Sequence, residues 1–285
     1  MRNENPDIIL SIRDLSVNFG KKKVLDKVTL QFERGEAVLI AGNNGSGKST
    51  LLRCMAGIYW PESGTIRSDP SIPREKIGFI SDKMSLFESM TLREGIDFHC
   101  RVFKTGGYDD SLLKPLKVDM SQPIRSLSAG ERALYHLSLV LSQKPGILLV
   151  DEIIHTIDPY LREIFLEALI DLIDQYGTTI LMVNHTFSEM GRIPERILIL
   201  ENGWVILDEK SEELNQKIKK IILEEGQLPG NMPVIFKKKS PLGTEYTVYP
   251  YSGEFESQGD FEFQDVDLTE IIKSFIGGYY DKKRE

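Results

Sequence analysis

The segment Gly42-Asn43-Asn44-Gly45-Ser46-Gly47-Lys48-Ser49 constrains the fold of this 285-residue chain more than any other feature. It fits the pattern G-x-x-x-x-G-K-[ST] and follows the wholly apolar run Ala37-Val38-Leu39-Ile40-Ala41, which reads as a buried parallel strand. Glycines let successive backbone N–H groups turn inward and approach an anion with no Cβ in the way. A helix expected from about Ser49 to near Gly57 would aim its positive end at the same place. Lys48 supplies a point charge for the outer phosphates, Ser49 a hydroxyl ligand for Mg²⁺, and Thr50 beside it is counted among the nucleotide-binding residues. Strand, loop and helix in this order predict a nucleotide phosphate site at the edge of a parallel sheet.

The rest of the chain supplies that sheet. Ile147-Leu148-Leu149-Val150 and the run from Thr178 to Val183 are two further apolar strands. A helix from Ala129 to about Gln143 buries Leu134, Leu137 and Leu141 on one face and stops before Pro145. Another starts at Asp158-Pro159, with Asp as N-cap and Pro at the first helical position, and closes at Gly177. Strands alternating with helices predict a mainly parallel sheet covered on both faces. Ahead of it, Leu10 and Ile12, then Leu15, Val17 and Phe19, then Val28 to Phe32 alternate with period two and predict antiparallel strands joined at Gly20-Lys21. Pro61-Glu62-Ser63-Gly64 reads as a turn, and residues 83–143 as mostly helical. Beyond about residue 210 the pattern gives a charged helix from Ser211 to about Glu225. Short strands follow at 234–236, 245–249 and 261–263, then a last helix from Leu268 to Tyr280. The expected fold class is α/β. A P-loop NTPase domain over 1–210 carries a mainly parallel core sheet, an N-terminal antiparallel β subdomain and a helical subdomain at about 83–143. A small α+β extension occupies 211–285.

Asp151-Glu152 stands at the end of the second buried strand. A carboxylate there can hold Mg²⁺, directly or through water, and its neighbour can polarise an attacking water. In an open parallel sheet, ligands bind beyond the carboxyl ends of the strands. Gly42, Asp151 and His185 each follow such an end, so the three are expected to converge, with His185 facing the terminal phosphate.

Leu127-Ser128-Ala129-Gly130-Glu131 precedes the helix at 129–143. Ser128 and Glu131 have capping-box spacing, and a capped N-terminus with small residues is also an anion site. With this segment the chain resembles the ATP-binding (nucleotide-binding) subunits of ABC transporters, whose signature motif is LSGGQ. Phe19 matches the aromatic that stacks on adenine, and Pro61 to Gly64 the P-x-S-G turn. Asp151-Glu152 resembles Walker B with its catalytic glutamate, Asp158 the D-loop aspartate, and His185 the switch histidine. The resemblance spans about residues 8–208. It implies an ATPase that dimerises head to tail, each ATP held between one subunit's P-loop and its partner's Ser128 and Gly130. Hydrolysis opens that sandwich and drives separate membrane subunits. A single cassette with a short C-terminal extension resembles the exporter-type (ABC-2) members more than importers with large regulatory domains. The chain departs from the family at four places. Asp82 stands at the Q-loop glutamine position that reaches Mg²⁺. Ala129 and Glu131 replace the usual Gly and Gln. Ile153-Ile154 and His155-Thr156-Ile157 replace the residues between Walker B and the D-loop.

A net charge of −8 argues against nucleic acid as a partner. Lys21 to Lys23 and Lys237 to Lys239 read as solvated charge runs. No apolar stretch approaches the roughly 18–20 residues needed to cross a bilayer, and the first residues do not resemble a signal peptide. Cys54 and Cys100 form no metal spacing and are expected to be buried thiols. These features point to the cytoplasm, with membrane attachment through partner subunits. A soluble ABC-type ATPase driving macromolecular assembly is the alternative. A P-loop kinase has no use for residues 127–131, and Glu152 argues against a non-hydrolysing switch.

Overall fold

The apolar runs become the strands of one sheet in the computed structural model, which describes residues 8–81, 87–184, 193–224, 228, 232–258 and 261–282. In chain order the elements begin with β1 (Ile8–Phe19), β2 (Lys22–Glu33), β3 (Ala37–Ala41), α1 (Lys48–Met55), β4 (Ser63–Ser68) and β5 (Ile77–Ser81). They continue with α2 (Leu92–Phe103), α3 (Ala129–Ser142), β6 (Ile147–Asp151), α4 (Pro159–Tyr176), β7 (Thr179–Val183), β8 (Arg196–Glu201) and β9 (Trp204–Lys210). The C-terminal part comprises α5 (Ser211–Lys217), β10 (Lys219–Leu223), β11 (Val234–Ser240), β12 (Gly243–Val248), β13 (Phe263–Gln264) and α6 (Leu268–Lys282).

The core sheet runs β5-β6-β7-β3-β8-β9, parallel throughout except for β9, which returns antiparallel on β8. Its strands are apolar at successive residues because both faces are covered. Leu39, Val150, Met182 and Ile199 join one core with residues of α3, α4 and α6. Ile40, Leu149, Val183 and Leu200 join the other with α1 and the N-terminal sheet β2-β1-β4. Ser81 pairs with Asp151, Asp151 with Val183, and Val183 with Ile40, so four strands end along one edge. The mainly parallel α/β fold with an antiparallel N-terminal sheet and a helical subdomain is therefore as expected.

In β1 the buried face switches from Ile12 to Leu15 across a bulge where Asp14 has φ 49°. Gly64 of β4 packs against that bulge. A Cβ there would stand 2.5 Å from the Asp14 carbonyl, so the close approach requires glycine. Ser63 and Gly64 accordingly belong to a strand rather than to the expected turn.

Other expectations are corrected. The charged helix at 211 stops at Lys217, not about Glu225. Lys219–Leu223 instead forms β10, an inner strand of the sheet β11-β12-β10-β13. Ile221 is fully buried there, and pairing with β12 and β13 overrides the local helical pattern. β8 and β9 have no counterpart among the expected elements. Cys54 is buried, but Cys100 is only half-buried. Ile271 and Phe275 of α6 pack into the same core as Ile197 and Leu207. Among the described residues no helix is long and apolar enough to cross a membrane.

Candidate functional site

The loop after β3 is built for close approach. Gly42 has φ 142° and Gly47 φ 112°, backbone that other residues rarely adopt. A Cβ at Gly42 would collide with the Leu200 carbonyl oxygen, and one at Gly47 would lie 2.8 Å from the Val24 carbonyl. The loop is thus pinned between the β1–β2 hairpin and the end of β8. Ser46 N–H donates to the Asn43 carbonyl at 3.1 Å, and Gly203 N–H donates to the Ser46 carbonyl at 3.0 Å. Lys48 folds back over the loop, its Nζ donating to the carbonyls of Gly42 at 2.9 Å and Asn43 at 2.8 Å. Burial pushes this lysine below its ordinary pKa, while the carboxylates of Glu152, Asp151 and Glu201 pull it back up. Ser46 Oγ is buried with no protein partner. Asn44 and Gly45 are exposed at the loop's tip, and Thr50 is buried in α1.

Ser49 Oγ donates to Asp151 Oδ1 at 2.7 Å, and Arg53 donates to Asp151 Oδ2 at 3.3 Å. Residues 42–50 and Asp151 are therefore one constellation. Glu152 follows with φ 52°, a left-handed turn held by its N–H donating to the Val183 carbonyl at 3.0 Å. Phe19, half-exposed at the end of β1, meets Tyr59 edge-on with ring centroids 5.5 Å apart. Tyr59 in turn lies 5.9 Å from the Arg53 guanidinium. A chain of contacts thus links Phe19 to Asp151.

Ser128, Gly130 and Asp158 form a second cluster. Ser128 and Glu131 make the full capping box: Glu131 N–H donates to Ser128 Oγ at 3.2 Å, and Ser128 N–H to Glu131 Oε2 at 2.8 Å. Gly130 sits against the start of α4, where a Cβ would come within 2.8 Å of Leu161 and 3.2 Å of Asp158 Oδ2. Asp158 caps α4, accepting from Leu161 N–H at 3.1 Å. Ser128 itself is exposed. Asp82 and His185 lie outside the described residues.

One site residue has no counterpart in the sequence analysis. Glu201 ends β8, is 1% exposed, and accepts from Asn43 Nδ2 at 3.3 Å. Its signal is the one that marks Asp151: a carboxylate closing an otherwise apolar strand, here before the turn Asn202-Gly203.

These features fit a nucleoside triphosphate and Mg²⁺. The cradle excludes side chains, a lysine and a buried unpartnered hydroxyl face it, and the hydroxyl–carboxylate pair of Ser49 and Asp151 is a hard-oxygen donor set.

Residues 25–155 match the ABC transporter family. Among curated relatives, a probable sulfate/thiosulfate import ATP-binding protein CysA of Chlorella vulgaris is 32% identical over 72% of this chain and 92% of its own length. A methionine import ATP-binding protein MetN of Clostridioides difficile (strain 630) is 30% identical over 81% of this chain and 79% of its own. A solved structure of an ATP-binding subunit of an ABC transporter superposes with a TM-score of 0.64 at 25% identity, covering 73% of this chain and 92% of that one. Both relatives carry import names, so the exporter-type expectation finds no support.

Proposed function

This chain belongs to the family of ABC transporter ATP-binding subunits and is an ATPase, and on that premise we propose how its own residues bind and hydrolyse ATP. The loop 42–49 and Lys48 hold the phosphates, and Phe19 stacks on the base. Ser49 and Asp151 hold Mg²⁺, which when bound neutralises phosphate charge. Glu152 accepts a proton from a water as its oxygen forms a bond to the terminal phosphorus and the bond to ADP breaks. By the family resemblance His185 serves the terminal phosphate and Asp82 the metal. The observation that carries this reading is the 2.7 Å contact between Ser49 and Asp151, residues 102 positions apart that one metal–phosphate site would use together.

The cluster of Ser128, Gly130 and Asp158 serves a second subunit. An exposed, capped helix N-terminus presents free N–H groups to an anion. Ser128 of one protomer would then meet the triphosphate on the loop of the other, making the ATP-loaded protein a head-to-tail dimer. Separate integral membrane subunits receive the motion. The division at residue 210 belongs to this reading: β9 ends at Lys210, and a different sheet begins at Lys219. The attachment is peripheral, on the cytoplasmic face.

Glu152→Gln tests the assignment. The amide keeps shape and hydrogen bonding but cannot take the proton. Phosphate release should fall about a hundredfold or more, while ATP binding persists and the protein runs as a dimer in size-exclusion chromatography with ATP. Undiminished hydrolysis would remove Glu152 from the chemistry.

A further inference from the structure

Asp151 and Glu152 have duties at the phosphate site, but a third carboxylate reaches the same loop without one. Glu201 accepts from the Asn43 side chain at 3.3 Å and is almost wholly buried. It sits on the hairpin that supports the loop, through Gly203 N–H on the Ser46 carbonyl and the Leu200 carbonyl against Gly42. Its backbone is therefore tied to the loop on both sides. Lys48 Nζ is bound to the Gly42 and Asn43 carbonyls, so the ammonium that meets the outer phosphates and the Glu201 carboxylate flank the same residue. The lysine feels the Glu201 charge together with those of Asp151 and Glu152.

We propose that Glu201 is a positioning and specificity-setting residue: its carboxylate fixes the Asn43 side chain, and its buried charge loosens the grip on the outermost phosphate. The proposal rests on the phosphate-loop reading of residues 42–49. A fixed negative charge behind the loop repels ATP more than ADP, because ATP carries one more phosphate near Lys48. Burial spares that charge the screening that salt gives a surface carboxylate. The site therefore prefers ATP over ADP less strongly than its lysine and amides alone would.

Two variants separate charge from position. Glu201→Gln removes the charge and keeps an oxygen for Asn43. Glu201→Met removes both at similar volume. Dissociation constants for ATP and ADP are measured by calorimetry with EDTA present, alongside thermal melting of the nucleotide-free proteins. In the Gln variant ATP should bind roughly fivefold or more tighter, and ADP by less than half that factor. The Met variant should show the same shift in the ATP-to-ADP ratio, but with both nucleotides weaker than in the Gln variant by a common factor, the effect of releasing Asn43. An unchanged ratio in both variants, or weaker ATP binding in the Gln variant, overturns the proposal. Lys48→Ala is the control for the underlying reading: if it binds ATP as tightly as the parent, the phosphate-loop assignment fails instead.

Discussion

Lys48 works under two opposing pressures. Burial in the loop disfavours its charge, and the carboxylates of Glu152, Asp151 and Glu201 favour it. The net effect lies below the ordinary lysine value of 10.5. A bound triphosphate holds the proton on, so ATP affinity is fully present below the lowered pKa and falls as pH rises through it, by at most about tenfold per unit. The nucleotide-free protein should follow the opposite trend: its stability is expected to rise over the window from the lowered pKa to 10.5, because the unfolded chain keeps the proton longer. Titrating ATP binding between neutral pH and the ordinary lysine value should show the decline in the parent and a flat profile in Lys48→Arg, whose guanidinium does not deprotonate. Parallel profiles would mean that Lys48 does not set the dependence. The role of Lys48 was legible because strand, glycines and lysine lie within a dozen positions of each other, and local geometry follows local sequence. Glu201 was not, because it meets Asn43 across 158 positions and only the order of strands in the sheet brings them together.

At the scale of elements, α2 has two characters. Leu92 and Gly95 are buried, Gly95 because a larger residue would strike the Tyr135 hydroxyl, which donates to the Leu92 carbonyl at 2.9 Å. Toward its C-terminal end the helix exposes Phe98, Val102 and Phe103, and Phe98 meets the exposed Phe87 edge-on at 5.1 Å. Four large apolar side chains so placed on one subdomain suit an apolar partner. On the function proposed above, that partner would be a membrane subunit. Phe98→Glu should abolish its co-purification from detergent extracts while changing stability by only about 0.5 kcal/mol, as surface substitutions do. Retention of the membrane subunit would place the docking surface elsewhere. The periodicity of α4 was visible in sequence because it buries a stripe in the core of the main sheet, and α3 buries one stripe there and a second beside Leu92 of α2. β10 was misread for the converse reason. Lys219 and Lys220 continue the charged pattern of α5, and their strand character comes from partners at Thr247-Val248 and Gln264, dozens of positions away.

The whole molecule is half of an enzyme if the two clusters act in trans, and that is a claim about stoichiometry. Ser128→Asp keeps a good N-cap, so α3 should hold, but it sets a negative charge where a phosphate would approach. Lys48→Ala spoils the loop and leaves residue 128 intact. Each variant alone should be inactive, since every site in its dimer carries one lesion. Mixed in equal amounts, half the dimers combine both variants. In such a dimer one site collects both lesions, and the other pairs an intact loop with an intact Ser128. One site in two, in half of the dimers, predicts recovery of about a quarter of the parent ATPase rate, provided each site works independently within a two-fold dimer. Restored phosphate release on mixing is the measurement. If Ser128 instead served the loop of its own chain, every site in every pairing would contain a lesion, and mixing would recover nothing.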